Sequence, residues 1–180
     1  MFGAAALGLT EASSTGASMR IGTGYDSHRF DAGRELILGG VHIPDHAGLR
    51  GHSDGDAVAH AVIDAILGAA AAGDVGSLFP PTDDAWKDAD SIGLLRKATA
   101  FLRERGYRVG NVDVTVVCET PRIRPHAAPM ARRLAEAMGI PVEHVSVKGK
   151  TNEGMGWIGA GEGLAVHASA LIVAEGDPGR

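Results

Sequence analysis

The sequence predicts an α+β fold: a single-domain two-layer α/β structure, mostly one small mixed sheet with helices packed on one face. Three observations predict it. The chain has 180 residues and is 44% hydrophobic, enough to bury one sizeable core. Runs with strand character alternate with runs of helical periodicity between residues 20 and 173, with no internal repeat or linker between them. Aromatic residues make up only 4%, so Ala, Val, Ile and Leu must fill the space between the layers.

Each element has its own reason. Residues 20–26 read as the first strand, and 35–38 with 41–43 as a hairpin around Gly39-Gly40, a pair suited to the tight turn between antiparallel strands. A helix is expected over 54–72, capped by Ser53, with Asp56 in the capping-box position. Val58, Val62, Ile66 and Leu67 supply its buried stripe. A second helix fits 91–105 and ends at Gly106. Over 111–117, Val112, Val114 and Val116 alternate with Asp113 and Thr115, the pattern of a half-buried strand. A third helix fits 125–138, followed by strands at 145–148 and 164–173. Gly159-Ala160-Gly161-Glu162-Gly163 precedes a strand rather than a helix, so it reads as a glycine-rich turn and not as a dinucleotide loop.

Composition excludes several classes. A formal net charge of −5 argues against nucleic acid as a partner. The lone Cys118 rules out an intramolecular disulfide and a Cys-rich zinc ribbon, and fits a reducing cytoplasm. No apolar stretch is long and polar-free enough for a membrane span. Residues 1–18 are rich in Gly, Ala, Ser and Thr, with no arginine before Arg20. They make a poor signal or transit peptide and are expected to be a flexible extension, with Met19 a natural alternative start. The domain itself is expected over 19–174, with a short tail at 175–180.

Two polar clusters carry the chemistry. Asp26-Ser27-His28 lies on the first strand, where alternation turns Asp26 and His28 to one face and Ser27 to the other. His52-Ser53-Asp54-Gly55-Asp56 leads into an Ala-rich helix bearing His60. Asp26, His28 and His60 are the ligand types zinc takes in catalytic sites, where three protein ligands leave one position open. Asp56 and Asp64, one turn either side of His60, are placed to orient its ring or merely to solvate the helix. Read singly, the strand Asp-x-His, the helical His60 and the Ser53–Asp56 turn are each unremarkable; the conjunction points to a metal. Lys150-Thr151-Asn152-Glu153 offers a cation, hydroxyl and amide donors for phosphate, and a carboxylate for Mg²⁺, or is simply a polar loop. Thr120-Pro121-Arg122 reads as a turn into the third helix.

Several words extend these clusters: Arg20-Ile21-Gly22 with Gly24-Tyr25-Asp26-Ser27-His28, His52-Ser53-Asp54-Gly55-Asp56 with His60, Gly73-Asp74-Val75-Gly76 with Phe79-Pro80, Gly110-Asn111-Val112-Asp113, and Gly161-Glu162-Gly163. In order and spacing the chain from Met19 to about Ala174 resembles the 2-C-methyl-D-erythritol 2,4-cyclodiphosphate synthases of the non-mevalonate isoprenoid pathway. The resemblance implies a metal-dependent, cyclising phosphorus–oxygen lyase. It would convert 4-diphosphocytidyl-2-C-methyl-D-erythritol 2-phosphate to the 2,4-cyclodiphosphate, with release of CMP. It further implies Zn²⁺ on Asp26, His28 and His60, and Mg²⁺ or Mn²⁺ held with the substrate diphosphate by Glu153. His52 and Thr151 would stabilise the transition state, and Ser53 would fix the methylerythritol phosphate. Asp74 and Gly76 would hold the ribose, helped by Val75 and by the loop Phe79, Pro80, Pro81, Thr82 and Asp83. Cytosine would be read by the backbone of Cys118, Glu119, Thr120, Pro121, Arg122, Ile123 and Arg124. Ser27, Lys150, Asn152 and Trp157 complete the implied substrate contacts. The family forms homotrimers with active sites between subunits.

The chain departs from the family's pattern at Pro81, where Asp is usual, at Asn152 for a hydroxyl residue, at Trp157 for Phe, and at Ala160. At the last, an Arg typically helps to bind diphosphate-like ligands on the trimer axis. Two other classes stay open from sequence: a zinc-dependent phosphoester hydrolase, and a non-catalytic trimer that binds a metal or an isoprenoid diphosphate.

Overall fold

The computed structural model describes residues 18–86 and 88–175. The extension expected over 1–18 and the tail expected over 175–180 therefore lie, apart from Ser18 and Glu175, outside the described residues. The strands are β1 (Met19–Leu38), β2 (Val41–Leu49), β3 (Tyr107–Val117), β4 (Val145–Lys150) and β5 (Gly163–Ala174). They form one sheet in the order β2-β1-β5-β3-β4. β3 and β4 are parallel and every other pair is antiparallel, so the sheet is mixed, as expected.

β1 joins what the sequence reads as two strands. Its residues Met19 to Arg29 pair with β5, and from Phe30 to Leu38 the same strand pairs with β2. The register shifts between Asp31 and Glu35, in the polar stretch where hydrophobic alternation lapses. The hairpin turns at Gly39 and Gly40, with φ of +56° and +70°, the left-handed pair of a two-residue turn.

The helices are α1 (Ala57–Ala69), α2 (Val75–Leu78), α3 (Ser91–Glu104), α4 (Ala127–Met138) and α5 (Gly156–Gly159). The short α2 and α5 have no periodic pattern long enough to read in sequence. α1 packs on β1 and β5, α3 on α1 and β3, and α4 on β4 and α3, which places the helices on one face. β1 can come this close to α1 because the contact is backbone on backbone. A Cβ on Gly24 would sit 1.9 Å from the Ala61 carbonyl oxygen, and one on Gly22 would sit 2.1 Å from that of Ala65. Val58, Val62, Ile66 and Leu67 are fully buried, and so are Ala57, Ala61 and Ala65. α1 is thus enclosed on nearly all sides, and its expected stripe is only part of its buried surface. The other sheet face carries Ile21 (76% exposed) and Tyr25 (51%), and among the described residues no helix covers it.

The start of α1 differs from expectation. Asp56, not Ser53, is the N-cap, so the helix begins at Ala57 and ends at Ala69 rather than spanning 54–72. One oxygen of Asp56 accepts the N–H groups of Val58, Ala59 and Gly39, and the other accepts that of Gly40. A carboxylate has the lone pairs for four such bonds and a serine hydroxyl does not. Asp56 therefore ties the β1–β2 turn to the helix while capping it.

Candidate active site

Three polar side chains meet where β1 changes partners. The candidate ligand atoms of Asp26, His28 and His60 all lie within 4.8 Å of one another. His28 Nε2 is 2.8 Å, and His60 Nδ1 3.0 Å, from the same oxygen, Asp26 Oδ2. Asp26 and His28 share the helix-side face of β1 two residues apart, opposite Val166 and Leu164 at the start of β5. His60 descends from the first turn of α1, at the height set by the Gly24–Ala61 contact.

The far side of each ring is also held. His28 Nδ1 lies 2.6 Å from the Arg50 carbonyl oxygen, and a carbonyl only accepts. Nδ1 therefore keeps its proton on that carbonyl, and Nε2, which donates to Asp26 Oδ2 in the metal-free cluster, is the nitrogen an ion would take. His60 Nε2 lies 3.0 Å from the hydroxyls of both Ser53 and Ser91. Burial disfavours an ionised Asp26, but the hydrogen bonds from His28 and His60, and then their charges, outweigh it and hold its pKa near 2. The bond to Asp26 also raises the pKa of His28 above 6.5, against the pull of burial. Without an ion this cluster closes on protons. With one, a carboxylate and two imidazole nitrogens backed by hydrogen bonds are the donor set zinc takes with a position left open. The residues fit the ion.

The expected orienting acids do other work. Asp56 is fully buried and spends its oxygens on backbone N–H groups, and Asp64 accepts the N–H of Val75, tethering α2 to α1. Neither carboxylate bonds to the His60 ring. Burial, the first influence on Asp64, raises its pKa against that N–H bond.

A pocket of about 250 Å³ opens over the cluster, lined in part by Asp26, His28, His52, Ser53 and His60 and closed by Val75, Gly76, Phe79, Pro81 and Trp86. Ser53 is only 6% exposed, because its hydroxyl is turned to His60 and Ser91. The ring of Phe79 meets Trp86 edge-on at 5.1 Å. Asp74 caps α2, accepting the Ser77 N–H and hydroxyl at 2.7 and 2.6 Å; these bonds hold its pKa below 3.8. Pro80, Thr82 and Asp83 lie on the exposed turn beyond the pocket. A neighbouring hollow is formed by Ser27, His28, Arg29, Trp157 and Glu162, so His28 is shared between the two.

The remaining expected residues gather elsewhere. Cys118, Glu119, Pro121, Arg122, Ile123, Arg124, Gly149, Lys150 and Thr151 line a second pocket of about 310 Å³ at the ends of β3 and β4. Thr120 reaches the other way, with its hydroxyl 3.1 Å from His46 Nε2. Burial, then the Glu119 charge, pushes the Cys118 thiol up to about 11, so it is no thiolate nucleophile. Thr151 donates to Glu153 at 2.8 Å, and Glu119 Oε1 accepts the N–H groups of Asn152 and Gly154 at 2.9 and 3.2 Å. Glu119 thereby holds the loop in which Glu153 takes a φ of +52°. The two pockets share no residue. Asp26 pairs with Val166, Val166 with Val116, and Val116 with Gly149, so three strand spacings, about 14 Å, separate them across the sheet.

Sequence reasoning missed Ser91, Asp54, the Arg50 carbonyl and Trp86. Asp54 stands inside a quoted motif and was available; Ser91 is a helix-start serine with nothing local to mark it.

A family model described as the YgbB family matches residues 19–173. The chain is 54% identical, over 88% of its length and 95% of the relative's, to a 2-C-methyl-D-erythritol 2,4-cyclodiphosphate synthase of Gemmatimonas aurantiaca. It is 52% identical to one from Erwinia tasmaniensis, over 86% of this chain and 99% of that one. Among solved structures, IspF of Plasmodium falciparum in complex with CDP superposes with a TM-score of 0.76 at 34% identity, covering 87% of this chain and 97% of that one. The bifunctional IspDF of Campylobacter jejuni superposes at 0.85 with 38% identity, over 88% of this chain and 43% of the longer one. The sheet, the helix layer and the sequence words thus agree over one continuous span, and the chain belongs to the YgbB family, that of the 2-C-methyl-D-erythritol 2,4-cyclodiphosphate synthases.

Proposed function

We propose that this chain is a metal-dependent, cyclising phosphorus–oxygen lyase of cytoplasmic isoprenoid biosynthesis. It converts 4-diphosphocytidyl-2-C-methyl-D-erythritol 2-phosphate to the 2,4-cyclodiphosphate and CMP. The convergence of Asp26, His28 and His60 on one point inside a pocket, in a chain that matches synthases over its whole described domain, carries this reading. In the reaction an oxygen of the 2-phosphate bonds to the β-phosphorus. The bond from that phosphorus to the bridging oxygen breaks, and CMP departs with the oxygen and its electron pair. The nucleophile is already ionised, so no strong general base is required, and catalysis reduces to positioning and charge neutralisation.

Asp26, His28 and His60 would hold Zn²⁺, and Glu153 would hold Mg²⁺ or Mn²⁺; bound there, the ions supply Lewis acidity and a template for phosphate oxygens. His52, exposed beside the cluster, and Thr151 donate hydrogen bonds to the reacting phosphates. Ser53 orients His60 as well as facing the methylerythritol end. The wall of Val75, Gly76, Phe79 and Pro81 takes the ribose, and backbone groups along 118–124 take the base.

We further propose that the chain works as a homotrimer with the site shared between neighbours. The two pockets, about 250 and 310 Å³, sit at the bottom of the ~300–1,000 Å³ range of small-molecule sites. Two-metal phosphoryl sites hold their ions about 4 Å apart, against the ~14 Å between the two halves of one chain. The uncovered sheet face with Ile21 and Tyr25 offers an apolar surface for assembly. The hydrolase and the non-catalytic module are not favoured by relatives that are named synthases.

The test is to incubate the purified protein with the cytidyl substrate and Mg²⁺, following CMP and phosphorus-31 signals. A cyclic diphosphate forming in step with CMP is expected. CMP accompanied by an acyclic bisphosphate would sink the cyclase reading, and absence of CMP would leave only a binding role.

A further inference from the structure

Behind His60, away from Asp26, lies a hydrogen-bonded chain that no substrate contact explains. Ser91 is fully buried at the first position of α3. Its backbone N–H reaches Asp54 Oδ2 at 3.0 Å, and its hydroxyl donates to Asp54 Oδ1. One carboxylate thus clasps both donors of a single serine. Asp54 is itself held, with its N–H on the Ala89 carbonyl at 3.2 Å and its Oδ1 accepting the Asp56 N–H at 3.1 Å.

Proton counting then sets the state of the histidine. A carboxylate accepts and a serine hydroxyl has one proton, so with that proton given to Asp54, Ser91 Oγ presents only lone pairs to its other neighbours. One of these is His60 Nε2 at 3.0 Å. The other is Ser53 Oγ at 3.3 Å, which has a proton of its own to donate. The bond between Ser91 and His60 therefore requires the proton on Nε2. Nδ1, 3.0 Å from Asp26 Oδ2, is thereby the nitrogen left to the ligand position: a proton it donates to that carboxylate is the one an ion would displace. His28 reaches the equivalent state through a carbonyl, whereas His60 needs a serine whose own proton is tied down.

We infer that Asp54 and Ser91 form a positioning pair. Resting on the zinc site proposed above, the pair fixes the tautomer and ring orientation of His60, and so the affinity of the three-residue site for its ion. Neither residue is a ligand. Asp54 acts through Ser91, and Ser91 acts through His60. The pair also couples α3 to α1 at the metal, so the helix layer as well as the strand is part of the site.

Zinc affinity is measured by competition with a chromophoric chelator for the wild-type protein, Ser91→Ala, Asp54→Asn and the control Ser53→Ala. In parallel, the His60 ring nitrogens of the metal-free proteins are read by ¹⁵N NMR above the pH of imidazole titration. Loss of an outer hydrogen-bond partner of a metal-binding histidine typically weakens binding about 10- to 100-fold. That loss is expected for Ser91→Ala, with a rise in the Nδ1–H tautomer. Asp54→Asn is expected to do the same with the serine still present, because its amide can donate to Ser91 Oγ and turn the hydroxyl proton towards His60. Ser53→Ala, which leaves the clasp intact, should keep the Nε2–H tautomer. Wild-type zinc affinity and an Nε2–H tautomer in both Ser91→Ala and Asp54→Asn would overturn the assignment. So would equal weakening in all three variants without any tautomer change, the result of a merely structural role. A wild-type protein that binds no zinc would instead remove the metal reading itself, and the two failures are told apart by the first titration.

Discussion

Adding one methyl group to Gly24 should disable the metal site from the far side of the sheet–helix contact. The new Cβ would lie 1.9 Å from the Ala61 carbonyl oxygen, where real Cβ contacts essentially never come under 3.0 Å. The helix must therefore withdraw by about 1.1 Å, since neither partner is a side chain that can rotate away. Ala61 follows His60 directly, so the withdrawal carries the imidazole with it. His60 Nδ1 now stands 3.0 Å from Asp26 Oδ2 and would move to about 4 Å, beyond the ~3.4 Å that tetrahedral zinc ligands on ~2.1 Å bonds keep from one another. Overpacking of this kind costs about 1–3 kcal/mol, or several degrees of unfolding temperature for a domain of this size at about 2–4 °C per kcal/mol. A misplacement near 1 Å costs about 100-fold in rate. The assay compares Gly24→Ala with Gly33→Ala, whose nearest neighbour would be the flexible Asp31 carboxylate at 3.3 Å. Zinc content after dialysis against chelator, thermal unfolding and CMP release are all measured. A Gly24→Ala protein that keeps its zinc, melting temperature and rate would refute the argument that this contact sets the height of His60.

Three further outcomes follow from the geometry. In metal-free protein, the raised His28 contributes stability that is full below pH 6.5 and is lost as pH rises through its folded pKa, and the lowered Asp26 contributes above 3.8 and is lost as pH falls towards 2. Zinc needs unprotonated ligands, so melting temperatures of the stripped and loaded forms should diverge between pH 6 and pH 8; parallel curves would contradict the shared use of these nitrogens. Coexpressing His60→Ala with Glu153→Gln should give mixed trimers with about a quarter of wild-type activity, since one interface in four pairs two intact halves on random assembly; no recovery would place both halves of the site in one chain. Asp56→Asn should cost about 1–3 kcal/mol in chemical denaturation, because an amide NH₂ must face either the Gly40 N–H or the three N–H groups on the other oxygen.

How much was legible depended on distance along the chain. Asp26 and His28 could be read as a pair because a strand has a period of two, and His60 because an Ala-rich run with Val58, Val62 and Ile66 could only be a helix. The hairpin at Gly39-Gly40 and the helix over Ser91–Glu104 were legible for similarly local reasons. The cap of α1 was not, since Ser53 and Asp56 are both good cap residues and only the proximity of Gly39 and Gly40 shows which has four N–H groups to satisfy. β1 was read as two strands because the stretch from Arg29 to Arg34 carries no alternation; its continuity comes from partners contributed by β5 and β2. Ser91 lies 31 residues from His60, and no local pattern predicts that a helix start will face an imidazole on another helix.

The bare sheet face governs how the protein acquires activity. α1 and β5 complete their packing within one chain, with Leu164, Val166 and Ile172 sealed from water. Ile21 and Tyr25 are exposed in the single chain and, on the trimer proposed above, stay wetted until another copy arrives. Folding of the helix layer is unimolecular, whereas covering that face on the composite-site reading is a collision. After dilution from denaturant, the helical signal should return at a rate independent of protein concentration, and CMP release should follow with a lag that shortens as concentration rises. A newly made chain would then be a folded but inert half of two active sites, converted to an enzyme by encounter.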